Sequence, residues 1–254
     1  MPALPPAFLA APIAHRALHD RAAGRPENSA AAVRAAVAAG YGIEIDIQMS
    51  ADGAAMVFHD YALDRLTGET GAVRVRTAGQ LRAIALRGGD ETIPDLPEIL
   101  SLVAGQVPLL VEIKDQDGGM GDNVGPLETA VADAVSGYDG PLAIMSFNPH
   151  SVALLGTLCP DLPRGLTTEG FDPADWPLPR ETCARLREIP DYKRVGASFI
   201  SHGKADLERA RVAELKAEGA DVLCWTVRSP EEERQARRVA QNITFEGYLP
   251  APRP

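Results

Sequence analysis

Two hydrophobic periods alternate along this chain. Short runs rich in β-branched and apolar residues follow a period of two, and longer runs between them follow the helical period. The first β-rich run is APIAHR at residues 11–16. The most regular is IEIDIQ at 43–48, where three isoleucines fall on one face and Glu44 and Asp46 on the other. Extended runs follow at 54–60, 108–114, 142–147, 164–168, 195–201, 221–227 and 243–248. Between them, Asn28 or Ser29 can cap a helix that Gly40 ends. Further helices are expected over 77–86, with Thr77 as cap, and over 96–104, 125–136, 149–158, 180–188 and 204–218. A last one opens at Ser229-Pro230, with proline in its first position.

Strand–helix alternation of this kind predicts parallel crossover units and an α/β fold. About eight strands in 254 residues favour a closed (β/α)8 TIM barrel over a doubly wound open sheet. A small insertion is expected between strand 2 and its following helix. No internal repeat and no linker divides the chain, so residues 1–254 read as one domain.

The strand at 43–48 raises a chemical question, because two carboxylates on one face repel each other. An ordinary solvated face would tolerate them. A divalent cation at the mouth of a barrel would instead turn their repulsion into shared attraction, and hard cations such as Mg²⁺ or Ca²⁺ prefer carboxylate oxygen. Glu112 adds a third acid, set among Leu109, Leu110, Val111 and Ile113, where a carboxylate needs a partner. Lys114 shares its face, so a plain exposed ion pair is the simpler alternative.

Two histidines end extended runs at matching places, His15 before Arg16 and His59 before Asp60. A pair of imidazoles can supply one base and one acid for displacement at phosphorus, although a strand-end histidine is often structural. Asp60 can fix the tautomer of His59. Arg16 and Lys114 are candidate phosphate ligands. Trp225 and Phe147, at strand ends, either line a pocket or pack the mouth. Trp176, in a proline-rich loop, is placed to cover it. His202 and Lys204 are expected on a surface loop, and His19 and His150 carry no role.

Composition narrows the function. Lys and Arg number 25 against 35 Asp and Glu, a formal charge of −10, and no basic run occurs, which argues against a nucleic-acid partner. The three cysteines form no CxxC pair and suit a cytoplasmic location. The N-terminus has no basic region before its apolar part, so no signal peptide is expected. No run is long and apolar enough to span a membrane. HExxH, GxGxxG, Walker A and GxSxG patterns are all absent. An acidic chain can still bind one small anion where local cations or a metal reverse the field at the site, and the oligomeric state stays open.

An ordered set of fragments resembles the glycerophosphodiester phosphodiesterase family. They are HR at 15–16, RPENS at 25–29, GIEIDIQMSADGAAMVFHD at 42–60, LDRLTGETG at 63–71, IPDLPEIL at 93–100, VEIKD at 111–115, SF at 146–147 and WTV at 225–227. The resemblance spans nearly the whole chain. It implies a barrel enzyme, a phosphoric diester hydrolase, that releases an alcohol and sn-glycerol 3-phosphate from glycerophosphodiesters. By the same match, Glu44, Asp46 and Glu112 would hold one divalent cation, Mg²⁺ or Ca²⁺. His15 and His59 would be the general acid and base, Arg16, Lys114 and Trp225 would face the substrate, and Glu27, Asn28 and Asp60 would support them. A lysophospholipid substrate, or a non-catalytic phosphate-binding barrel, are the alternatives. Two positions depart from the family pattern: Ala17 stands where glycine usually follows HR, and Glu246-Gly247 stands where Asp-Gly is common near the last strand.

Overall fold

The computed structural model describes residues 2–251. A short helix, α1 (Ala7–Ala10), precedes β1 (Ile13–Ala14), α2 (Ala30–Ala39), β2 (Gly42–Met49) and β3 (Ala55–Val57). Two helices follow, α3 (Ala78–Arg82) and α4 (Leu96–Val103). The strand–helix pairs β4 (Leu109–Ile113) with α5 (Pro126–Val135), and β5 (Leu142–Ser146) with α6 (Pro149–Leu158), come next. They are followed by β6 (Arg164–Thr168) with α7 (Arg180–Arg187), and β7 (Phe199–Gly203) with α8 (Ala210–Ala217). The chain closes with β8 (Asp221–Val227), α9 (Pro230–Ala236) and β9 (Asn242–Phe245).

β1 pairs in parallel with both β2 and β9, and β2 and β4 through β9 pair in parallel in sequence order. Eight parallel strands therefore close into the expected barrel. β3 is antiparallel to β2 and outside the ring, and it opens the insertion. That insertion has its own small core of Met56, Phe58, Leu63, Leu66, Val73, Leu81, Leu86 and Ile93.

Strand alternation sorts the side chains. Ile43, Ile45, Ile47, Val111 and Ile113 face outward into the main core under the helices. Ile13, Leu110, Ala143, Met145, Phe199 and Leu223 pack inside the barrel, where Leu4 and Phe8 from the α1 segment join them. Asn242 ties that segment down by donating to the carbonyls of Phe8 and Ala11. Gly165 makes room for the Phe199 ring, since a Cβ there would lie 2.3 Å from it.

Several elements differ from the sequence expectation. The first strand is only two residues long because Arg16 and Ala17 turn the chain away in left-handed conformations, at φ 53° and 63°. Thr77 caps α3 in a capping box with Gln80, but the helix stops at Arg82, and bridges Thr67–Leu86 and Ala85–Thr92 draw the next residues into the insertion. The helix expected over 204–218 is a 3-10 turn at Lys204–Asp206 and then α8, separated by Arg209 in an extended conformation. His202 is a correction. It is fully buried on β7, hydrogen-bonded to Thr168 and Asp206, rather than on a surface loop. Among the described residues no helix is long and apolar enough to cross a membrane.

Candidate active site

The inner face of β2 carries Glu44 and Asp46 toward the C-terminal mouth, and the β2–β4 register sets Asp46 directly beside Glu112. Glu44 and Asp46 are 1% exposed and Glu112 is 6%, so the solvated-face alternative fails. One carboxylate oxygen from each of the three lies within 4.8 Å of the others. β1 delivers His15 and Arg16 to the same mouth, β3 delivers His59, and β8 delivers Trp225. Together with Lys114 these residues line one cavity of about 140 Å³. It shares Trp225, Thr226 and Arg228 with a wider groove beside it.

Each carboxylate is held differently. Glu44 Oε2 accepts from the Arg16 backbone N–H at 2.8 Å, while its Oε1 is buried without a partner. Burial, and then the charges of Asp46 and Glu112, raise the pKa of Glu44 well above its ordinary value. Burial also works to raise that of Asp46, but Lys114, His59 and Arg16 overcome it and hold the group well below the usual carboxylate range. Lys114 Nζ lies 2.6 Å from Glu112 and 3.0 Å from Asp46, so the pair foreseen on an exposed face exists inside the mouth. Burial opposes the charge on Lys114, yet the two acids raise its pKa.

Both histidines are backed by an acid. His59 Nδ1 donates to Asp60 at 2.6 Å, and His15 Nδ1 donates to Glu246 at 2.7 Å. An ionised carboxylate only accepts, so each ring carries its proton on Nδ1 and presents Nε2 to the cavity. Burial lowers the pKa of His15, against the pull of Glu246.

A supporting layer lies behind. Asn28 sits at φ 58°, donates to Asp46 Oδ2 at 2.9 Å and accepts from the Asp46 N–H at 3.2 Å. Its side chain thus continues the pairing of β2 where β1 has ended. Ser29, not Asn28, caps α2, which frees Asn28 for this task. Glu27 accepts from Arg16 and Arg65, and Arg65 also bonds Asp60. At the mouth the Phe147 ring packs against Phe171, Trp176 and Trp225, so the proline-rich loop does cover one side. Trp225 donates to the Ser201 carbonyl at 2.9 Å, and Trp176 donates to Glu169.

The sequence reading passed over Glu246, Arg65 and Arg228, and over Thr167, Ser201 and Thr244. The last three line the cavity with buried hydroxyls that have no hydrogen-bond partner among the described residues. Unpaired polar groups at such a place suit a polar ligand or ordered water. The only prior signal for Glu246 was its departure from the family pattern, and Arg65 lay unassigned inside LDRLTGETG.

Known proteins resemble this chain in sequence and in fold. Residues 15–242 match the model of the glycerophosphoryl diester phosphodiesterase family. The chain is 28% identical over 226 residues, 85% of each chain, to YhdW of Bacillus subtilis, which is provisionally named a glycerophosphodiester phosphodiesterase. It is 32% identical over 151 residues to the glycerophosphodiester phosphodiesterase of Caldanaerobacter subterraneus, covering 56% of this chain and 60% of that one. Among solved structures, an Oleispira antarctica phosphodiesterase in complex with its product sn-glycerol-3-phosphate superposes with a TM-score of 0.76 at 23% identity. That match covers 94% of this chain and 93% of the other. The chain belongs to the glycerophosphoryl diester phosphodiesterase family and, with it, to the phosphoric diester hydrolases.

Proposed function

We propose that this chain hydrolyses small glycerophosphodiesters to an alcohol and sn-glycerol 3-phosphate, using one divalent cation and two histidines. One observation carries the reading. Two imidazoles, each donating from Nδ1 to a carboxylate, share a single small cavity with three buried carboxylates.

The donor set fits a hard cation. It is all oxygen, its members converge, and Glu44 Oε1 is a buried carboxylate oxygen with no other partner. Glu44, Asp46 and Glu112 would hold the ion, Mg²⁺ or Ca²⁺. A cation bound there supplies Lewis-acid polarisation of a phosphate oxygen. Arg16 and Lys114 neutralise the phosphate from two sides, and Trp225 forms an apolar wall against the glycerol. One histidine takes a proton from the attacking oxygen onto its bare Nε2, and the other, entering as the imidazolium with a second proton on Nε2, gives that proton to the departing alkoxide. Asp60 keeps His59 in the productive tautomer, Asn28 fixes the direction of Asp46, and Glu27 holds Arg16.

The test is release of sn-glycerol 3-phosphate from glycerophosphocholine and glycerophosphoethanolamine, before and after chelation and metal add-back. His15→Asn and His59→Asn should each lower kcat by about 10²–10⁴-fold while the fold is kept. No metal-stimulated release from either substrate would refute the proposal.

A further inference from the structure

Glu246 follows the last residue of β9 and joins three strand ends. The His15 N–H donates to the Phe245 carbonyl at 2.9 Å, and the Glu246 N–H donates to the Val227 carbonyl at 3.0 Å. The backbone of Glu246 is thus fixed between β1 and β8. Its side chain works in both directions. Oε2 accepts from His15 Nδ1, and Oε1 accepts from Arg228 Nε at 2.7 Å. His19 lies 3.7 Å from Oε2 on the far side. Contacts with His15 and His19 hold the Glu246 carboxyl well below its usual range, so it stands as an anion between His15 and Arg228.

Arg228 lines the cavity with the three carboxylates and also borders the wider groove that contains Phe171 and Lys204. It differs from the other two cations of the cavity. Arg16 faces both Glu27 and Asp46, and Lys114 faces both Asp46 and Glu112. Among the described residues the Arg228 side chain is ion-paired only with Glu246, through Nε, while its backbone N–H donates to Glu232. Its two terminal nitrogens have no hydrogen-bond partner among the described residues, and the side chain is 54% exposed. A guanidinium tethered by Nε presents its outer edge as a two-pronged donor, which matches two oxygens of a phosphate.

We propose that Glu246 and Arg228 act as one bracket: Glu246 is a positioning residue that sets the His15 ring, and Arg228, held by the other Glu246 oxygen, binds the substrate phosphate at the rim of the cavity. The inference rests on the phosphodiesterase reading for its substrate. It adds a third cation to the pair that the sequence motifs supplied, on the side of the mouth formed by β8 and β9. The backbone links make it economical, because closing the barrel places His15, Glu246 and Arg228 side by side without a dedicated loop.

Two kinds of measurement test it on the full chain. Nitrogen NMR of His15 in metal-free protein should show the Nδ1-protonated tautomer, and Glu246→Ala should lose that preference while circular dichroism is unchanged. In metal-loaded enzyme Glu246→Ala should lower kcat roughly 10–100-fold, and Glu246→Asp should recover part of the loss. Arg228→Gln should raise KM, and the inhibition constant of sn-glycerol 3-phosphate, about tenfold with kcat little changed. Arg228→Lys should restore part of that binding. An unchanged His15 tautomer with kcat within about twofold in Glu246→Ala would overturn the positioning role. Unaltered KM and product inhibition in Arg228→Gln would overturn the phosphate role. If the wild type releases no sn-glycerol 3-phosphate at all, the reaction reading fails instead. The NMR result, and direct titration of sn-glycerol 3-phosphate into wild type and Arg228→Gln, then still decide the bracket.

Discussion

Asn28 offers a sharp quantitative test, because one side chain both supports Asp46 of the candidate site and tolerates a strained backbone. It is 1% exposed, bonds Asp46 twice, and holds φ at 58°. Asn28→Gly keeps the backbone conformation at no steric cost; it removes the two bonds and adds about 0.4–1 kcal/mol of destabilisation through the freer unfolded chain. Loss of the bond to the ionised Asp46 costs about 1.5–3 kcal/mol, and stranding the buried Asp46 N–H costs about 1–3 kcal/mol more. With the chain-entropy contribution the sum is ~3–7 kcal/mol, a large share of a typical stability of about 5–15 kcal/mol. For a chain of this size it lowers Tm by on the order of 10 °C. Asn28→Ala suffers the same loss and adds about 1–2 kcal/mol for a Cβ in the left-handed region. Reduced unfolded-chain entropy returns about 0.4–1 kcal/mol of that, so alanine should be the less stable of the two by about 1 kcal/mol. Urea unfolding of chelator-treated protein, followed by circular dichroism, reads both differences as midpoint shifts at constant slope. A glycine variant within about 1 kcal/mol of wild type would refute the energetic role of the two bonds. An alanine variant at least as stable as glycine would refute the imposed positive φ.

Two further predictions concern the barrel itself. Burial lowers the pKa of His202 from its ordinary 6.5 to about 4, so the folded protein binds fewer protons than the unfolded chain between those values. The associated stability is fully present above pH 6.5 and is lost as pH falls toward 4, at up to about 1.4 kcal/mol per pH unit and roughly 3 kcal/mol in all. His202→Asn should flatten this slope in denaturant titrations run from pH 7 to pH 4, and an unchanged slope would exclude His202 as its source. Gly165→Ala sets a methyl 2.3 Å from the buried Phe199 ring. It should destabilise the barrel by about 1–3 kcal/mol, and thermal unfolding indistinguishable from wild type would mean the ring moves freely.

The parts of this site that were readable from sequence are those encoded locally. Alternation on one strand sets Glu44 and Asp46 against the isoleucines, and a histidine at a strand end needs only its own strand to reach the mouth. Asp60 is legible because it acts on the adjacent His59, whereas Asn28 is legible only through the RPENS fragment that resembles the family, since its partner Asp46 lies 18 residues away. Glu246 is different. It meets His15 across 231 residues, and only closure of the barrel between β1 and β9 brings them together. Arg65 likewise acts through the insertion, whose packing no period announces. Thr167, Ser201 and Thr244 are small polar residues in short strands, indistinguishable from solvated positions until the strands close. His202 was misplaced because a polar Ser-His-Gly run reads as a loop, whereas its outward-facing ring is sealed under the 3-10 turn that follows.

The central claim is that Glu44, Asp46 and Glu112 form one cation site, and calorimetric titration of Mg²⁺ and Ca²⁺ into chelator-treated protein tests it most directly. The account predicts saturable binding of at least one of these ions, with one site per chain, abolished in Glu44→Gln and in Asp46→Asn. No saturable binding of either ion, or one site per chain retained in both variants, would contradict it.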